Sequence, residues 1–226
     1  MNKNCVILDK ILDVPLENEI GSFFVGAYKI LNRQDLIEEV IILYCGELSS
    51  IKNVRINSAC YTGDLFHCNR CDCNIQMMSS IKLFCSENNG LLIYLLNQDG
   101  RGCGTVNKLK SLLLMDQDDL STKEAFEKLG LEPDKRDYSA SVTVLKDLGI
   151  DKINLVTNNP EKVEFLNANG IKILKRIPSI TEKPELIKYL KSGLYCALQW
   201  LVLLFVAVKN QHEHRYRLPF LMYRVQ

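Results

Sequence analysis

The chain has almost no net charge: 28 Lys and Arg stand against 27 Asp and Glu in 226 residues, a balance of +1. A broad nucleic-acid-binding surface needs a basic face, and this balance argues against one. With 47% apolar residues it argues against disorder as well. Any anionic ligand must be met by charge concentrated locally. The opening "MNKNCVILDKILDVPLENEI" lacks the apolar run of an export signal and has acidic residues in its place. Internal repeats and low-complexity linkers are also missing. One segment, "GLYCALQWLVLLFVAV" at 193–208, is almost wholly apolar, but it has sixteen residues. A bilayer-crossing helix needs about 20. A terminal helix packed on the body or on a partner subunit is preferred there to a membrane span. The basic tail that follows holds His212 and His214; a two-His metal site is the sharper reading and a solvated tail the plainer one.

Cysteine, by contrast, is plentiful. There are nine, an odd number, and without an export signal this points to a reducing, cytoplasmic setting rather than to disulfides. Four crowd into "ACYTGDLFHCNRCDCNIQM", residues 59–77: Cys60, Cys68, Cys71 and Cys73. Buried cysteines often act as small hydrophobes. That reading is weak here, because Asp64, His67, Asn69, Arg70 and Asp72 are interleaved. Cys71 and Cys73 are two apart, so in an extended segment both sulfurs project to one side. Cys60, eleven residues before Cys71, can return through the "TGDL" turn. Three thiolates and an open position make a catalytic zinc site; adding Cys68 closes it as a structural one. Spacing alone leaves both open.

The remaining pattern is mixed α/β, read as one domain over 1–192 and a C-terminal extension over 193–226. The first fifty residues are β-rich, with "SFFVGAYKIL" and "EEVIILYCGEL" as apolar, β-branched runs and "NVRINS" as a further strand. Then helices and strands alternate. "NIQMMSSIKLFCSE" has helical spacing and ends at Asn89-Gly90; "LLIYLL" is a buried strand; "NQDGRGCG" is a glycine-rich turn. "TVNKLKSLLLM" is helical, with Val106, Leu109, Leu112 and Leu113 on one side. Ser121 and Glu124 form a capping box, and "SASVTVLKDLG" is the next helix. "KINLVT" and "IKIL" are strands around a helix capped by Asn159 and Pro160 and closed by Gly170.

The order Cys60-Tyr61-Thr62-Gly63-Asp64, Arg70-Cys71-Asp72-Cys73 and Gln76 resembles the zinc motif of the GTP cyclohydrolase II family. The likeness continues through "QDGRGCGTVNKLK", "LGLEPDKRDYS" and "LVTNNPEKVEFLNANGIKI", over roughly residues 20–190. It implies that Cys60, Cys71 and Cys73 bind zinc and that Cys68 does not. It implies opening of the guanine ring at C8 by a water that zinc activates, with loss of formate. Arg136 would be the nucleophile toward the α-phosphate, releasing pyrophosphate, and Asp134 the proton acceptor. Arg55, Gln76, Asp99, Gly100, Arg101, Thr122, Thr157 and Lys162 would hold GTP, with magnesium on its phosphates; the family is commonly a homodimer.

Read without the family, several of these residues have plainer roles. Thr122 can simply begin a helix, Lys162 can be solvated on a first helical turn, and Asp134 with Arg136 can be a surface ion pair worth little. Thr157 sits where a strand meets a helix N-terminus, where free N–H groups favour phosphate. The chain also departs from the family. Ala59 and Asp99 stand where it has Glu, Leu112 where it has a tyrosine and Cys103 where it has isoleucine. Asp99 is shorter than Glu by one bond, about 1.5 Å. Two functions follow: a divergent GTP cyclohydrolase II, serving riboflavin or a related specialised pathway, or a weakly active paralogue that binds a purine nucleotide and works through association.

Overall fold

The structure, a computed structural model, describes residues 4–179. The apolar stretch at 193–208, the basic tail and the expected division at 192–193 lie outside them. Three long strands open the fold: β1 (Val6–Asn18), β2 (Gly21–Leu31) and β3 (Ile37–Cys45), each antiparallel to the next. β2 and β3 match the two apolar runs. β1 is an edge strand with Val6, Ile11 and Leu16 all at least half exposed; the ladder to β2 holds it, with Ile7 and Leu12 packed against the core.

Alternation follows. β4 (Asn53–Ser58) leads through the single turn α1 (Tyr61–Asp64) to α2 (Cys73–Glu87) and β5 (Gly90–Leu95). Then come α3 (Thr105–Asp118), α4 (Thr122–Lys128), α5 (Ser139–Asp147), β6 (Lys152–Val156), α6 (Pro160–Ala168) and β7 (Lys172–Ile177). The seven strands form one sheet in the order β1-β2-β3-β5-β4-β6-β7. The half from β5 to β7 is parallel, as crossover helices require. The architecture is thus the mixed α/β expected: a β-rich beginning and alternating helices and strands.

Local chemistry sets most helix ends. Ser121 Oγ accepts from Glu124 N while the Glu124 carboxylate accepts from Ser121 N, closing the capping box of α4. Asn159 Oδ1 accepts from Glu161 N, and Pro160 occupies the first position of α6. α2 stops slightly before the expected place, because Asn88 takes the left-handed conformation at φ 43°. Gly90 belongs to β5 instead. A β-carbon there would lie 2.1 Å from the Phe84 ring, so glycine is needed for close packing of α2 on the sheet. α3 departs further: Val106, Leu109 and Leu113 are more than half exposed, and Ser111 is the buried residue.

Each sheet face carries its own core. Tyr28, Ile42, Ile56, Ile93 and Ile153 pack with Leu145 of α5 and Leu166 of α6 on one side. Phe23, Cys45 and Leu92 pack with Ile81 and Phe84 of α2 on the other. β4 connects through α2 to β5, and its neighbour β6 connects through α6 to β7 in the opposite direction. The two connections cover opposite faces, so a crevice opens at the carboxyl ends of β4 and β6. Open α/β sheets bind ligands at such switch points.

Candidate metal centre and cation cluster

Cys60 lies just beyond the carboxyl end of β4, and Cys73 is the first residue of α2. The chain between them folds back through α1, bringing the sulfurs of Cys60, Cys71 and Cys73 within 4.8 Å of one another. Cys68 Sγ is 3.9 Å from Cys71 Sγ but outside that group. Gly63 leaves the space between them clear: a β-carbon there would stand 2.7 Å from Cys71 Sγ and 3.1 Å from Cys60 Sγ. Hydrogen bonds with Cys71 and Cys73, then the charge of Lys108, draw the Cys60 thiol far below its usual range. The same bond to Cys60 pushes Cys71 up to about 12, and Cys73 is raised as well. Three soft donors around a cleared cradle fit a zinc ion, which binds thiolates and displaces their protons.

The surroundings hold these ligands in place. Asp64 Oδ2 accepts from Cys60 N at 2.9 Å and from Tyr94 Oη at 2.7 Å. Gln76 Nε2 donates to Asp72 Oδ2 at 2.6 Å, and its Oε1 accepts from Arg55 Nη2 at 3.1 Å. Arg70 pairs with Asp116 and reaches the carbonyl of Leu112 at 3.5 Å, tying the cysteine loop to α3.

The glycine-rich turn follows β5. Asp99 is 2% exposed, and both its oxygens are occupied: Oδ2 accepts from Thr105 Oγ1 at 2.7 Å, and Oδ1 from Lys108 Nζ at 2.7 Å and Tyr61 N at 3.3 Å. Gly100, Arg101 and Gly102 all have positive φ. Gly102 is fixed by a close approach, since a β-carbon would lie 2.9 Å from the Lys135 carbonyl. Lys135 N donates to Arg101 O at 2.9 Å, so the turn lies along the segment 134–136. There Arg136 Nε donates to Asp134 Oδ1 at 2.9 Å and Nη2 donates to Oδ2. This pair is half-buried, with the Arg136 side chain 13% and the Asp134 side chain 31% exposed.

Lys162 is buried rather than solvated. Its Nζ donates to Ile56 O at 2.7 Å and lies 5.2 Å from the Tyr138 ring centroid. Burial, then the charges of Arg55 and Arg136, push its ammonium well below the usual range, partly offset by Cys73 and Asp134. Burial likewise lowers Arg55 to about 10, with Cys73 and Asp72 opposing. Cations, thiols and the Asp134 carboxylate therefore share one low-dielectric locale at the switch point. Crowded cations of this kind are relieved by an anion.

Two expected residues sit differently. The Thr157 N–H is occupied by Ile177 O at 2.9 Å, and its hydroxyl accepts from Asn159 N at 3.0 Å, so it offers no free amide. A buried donor with no protein partner does lie nearby, Asn159 Nδ2. Thr122 is tied to α3, its hydroxyl 3.8 Å from Met115 Sδ. Sequence reasoning gave no role to Lys108, although it lies within "QDGRGCGTVNKLK"; its Nζ lies 3.1 Å from Cys60 Sγ.

A family model described as GTP cyclohydrolase II matches residues 9–178. The chain belongs to the GTP cyclohydrolase II family. Relatives in that family include riboflavin biosynthesis protein RibBA of Staphylococcus saprophyticus, 41% identical over 173 residues, 76% of this chain and 42% of the relative. RibBA of Endomicrobium trichonymphae is 38% identical over 190 residues, covering 82% of this chain and 45% of its own length. RibBA of Aquifex aeolicus is 38% identical over 175 residues, 76% and 42% respectively. The chain thus spans less than half the length of these relatives. A solved structure, RibBX, a two-domain 3,4-dihydroxy-2-butanone 4-phosphate synthase from A. baumannii, aligns with a TM-score of 0.39 at 15% identity, over 79% of this chain and 41% of its own. Among the described residues, no helix is long and apolar enough to cross a membrane.

Proposed function

We propose that this chain is a zinc-dependent hydrolase that opens the imidazole ring of GTP, releasing formate and pyrophosphate and leaving a diaminopyrimidinone ribosylamino 5′-phosphate. The observation that carries this reading is one juxtaposition. Three mutually facing thiols share the switch point with buried Arg55 and Lys162 and half-buried Arg136. Cys60, Cys71 and Cys73 hold the ion, which when bound supplies a water acidified to near neutral pH and a fourth position for it. Arg101, Arg136 and Lys162 concentrate the positive charge that a triphosphate needs in an otherwise neutral protein, with magnesium on the phosphates. Asp134 turns the Arg136 guanidinium toward its place and takes a proton from the reacting group. Gln76, fixed between Asp72 and Arg55, offers an amide to the base. Thr157 and Thr122 complete the nucleotide site in this reading.

The setting is a reducing cytoplasm, in keeping with the eight described cysteines, all free thiols. The enzyme works as a homodimer in the riboflavin route or a related one. One observation favours a second reading, a nucleotide-binding paralogue of little activity: both Asp99 oxygens are consumed within the protein. Incubating the metal-loaded protein with GTP and magnesium, beside ATP, tests the choice. Formate, pyrophosphate and a new pyrimidine absorbance with GTP support the hydrolase. GTP binding without turnover, with zinc present, leaves the second reading.

A further inference from the structure

Lys108 stands between two anions in the first turn of α3. Its Nζ is 2.7 Å from Asp99 Oδ1 and 3.1 Å from Cys60 Sγ. Asp99 Oδ1 also accepts from the backbone N–H of Tyr61, the residue after Cys60. The contacts therefore close a ring: Cys60 to Lys108, Lys108 to Asp99, Asp99 to Tyr61, and Tyr61 by covalent bond to Cys60. Thr105, one helical turn before Lys108, holds the other Asp99 oxygen. The first turn of α3 thus grips both the metal cluster and the turn that carries Arg101.

We propose that Lys108 is a positioning residue that balances the charge of the cysteine cluster, withdraws electron density from Cys60 and locks the Asp99–Arg101 turn onto the metal centre. The inference rests on the zinc reading above. Three thiolates around a divalent ion leave one net negative charge, and Asp99 adds another. Cys60 is 8% and Asp99 2% exposed, and buried charge without a partner is costly. Lys108 is the cation in hydrogen-bond contact with both. A hydrogen bond to a ligand atom tunes the ion, and here it makes the sulfur a poorer donor, which leaves the ion more acidic toward its fourth ligand. The ring also gives Asp99 a role despite its short side chain: it acts on substrate through Lys108 and the turn.

The test uses the full chain loaded with zinc or cobalt, and the variants Lys108→Met, Lys108→Arg and Asp99→Asn. Zinc affinity is read by competition with a chromophoric chelator, and the donor strength of sulfur by the sulfur-to-cobalt charge-transfer band. Lys108→Met leaves the buried anionic cluster without its cation, a cost that outweighs the stronger sulfur donor, so zinc affinity is expected to fall about 10–100-fold while the band moves to lower energy, with Lys108→Arg restoring both. Asp99→Asn leaves Lys108 to Cys60 alone, so its band stays in place or moves to higher energy. A merely structural role would disturb both variants in the same sense. A folded Lys108→Met protein with native affinity and spectrum overturns the proposal. Should that variant not fold, an Asp99→Asn band displaced to lower energy overturns it instead. A native protein that takes up neither metal overturns the zinc reading itself, and this role with it.

Discussion

Gly63 faces Cys71 so closely that a single added methyl group would stand 2.7 Å from its sulfur. Gly63 lies in the short helix α1, so left-handed freedom is not why glycine is there. The reason is space: the same methyl would also crowd Cys60 Sγ at 3.1 Å and Cys73 Cβ at 3.3 Å. All three are tighter than the optimum of about 3.5–4.0 Å, and at 2.7 Å the Cys71 sulfur would have to move. Gly63→Ala is expected to lose most of its bound zinc while keeping its fold, measured as metal per chain on protein with native circular dichroism. Full zinc occupancy in that variant would sink the cradle reading.

Cys68 and Cys71 separate an open site from a closed one. Cys68 stays outside the three-sulfur group although it approaches Cys71. Replacing it by Ser is expected to leave the metal content at one per chain, whereas Cys71→Ser abolishes it. Zinc lost from the Cys68 variant would make the ion a four-cysteine structural centre with no position left for water.

Asp134 gives a pH dependence with a defined sign. Burial raises its carboxyl, but the hydrogen bonds and charge of Arg136, with Arg101 adding, outweigh burial and hold it below its usual value. A depressed carboxyl contributes stability above the unfolded pKa of about 3.9 and loses it as pH falls through the lower folded value. The difference in urea midpoint between native protein and Asp134→Asn is therefore expected to be full at pH 6 and to shrink toward pH 3. A difference constant over that range would refute the pairing. Asp134 remains ionised across neutral pH, so an acid limb of activity at pH 5–7 belongs to another group. Asp134→Asn should also reduce pyrophosphate release by about 10²–10⁴-fold, the range for a proton-transfer residue.

How much of this was legible depends on the kind of signal. Caps are local, and Ser121–Glu124 and Asn159–Pro160 mark their helices in sequence and structure alike. The strand runs that became β2 and β3 stood out because their buried faces are β-branched and aromatic. β1 carried no such mark: Ile7 and Leu12 lean on the core, but Val6, Leu8, Ile11 and Leu16 face outward, so its apolar residues form no single buried face. On α3, the spacing of Val106, Leu109 and Leu113 established an apolar side; periodicity does not say what covers that side, and within the described residues it is exposed. The metal thiols were legible because chemistry and spacing coincide. Lys108 was not, because its partners lie nine and 48 residues away and only the return of the chain past β4 and β5 brings them together.

A second cysteine pair of this kind lies away from the metal centre. Cys45 ends β3, Cys85 lies in the last turn of α2, and their sulfurs are 3.0 Å apart. Burial, then the hydrogen bond with Cys85, push the Cys45 thiol up to about 12, so it is the sluggish partner. Cys85 is less buried and is therefore expected to react first. Hydrogen peroxide converts its thiolate to a sulfenic acid and is itself reduced to hydroxide. The Cys45 sulfur then displaces water, forming the S–S bond. Mild peroxide is expected to join these two residues, seen as one cross-linked peptide by mass spectrometry and reversed by dithiothreitol. The loop closed by this bond falls between the lengths for which chain entropy gives about 3 and 4.7 kcal/mol, so the oxidised form should unfold at higher denaturant. Because α2 begins at Cys73, the cross-link pins the far end of the helix that bears a metal ligand, and zinc content should survive it. Peroxide-treated protein that retains both thiols, or joins either one to a metal-site cysteine instead, would show that the contact does not govern the chemistry.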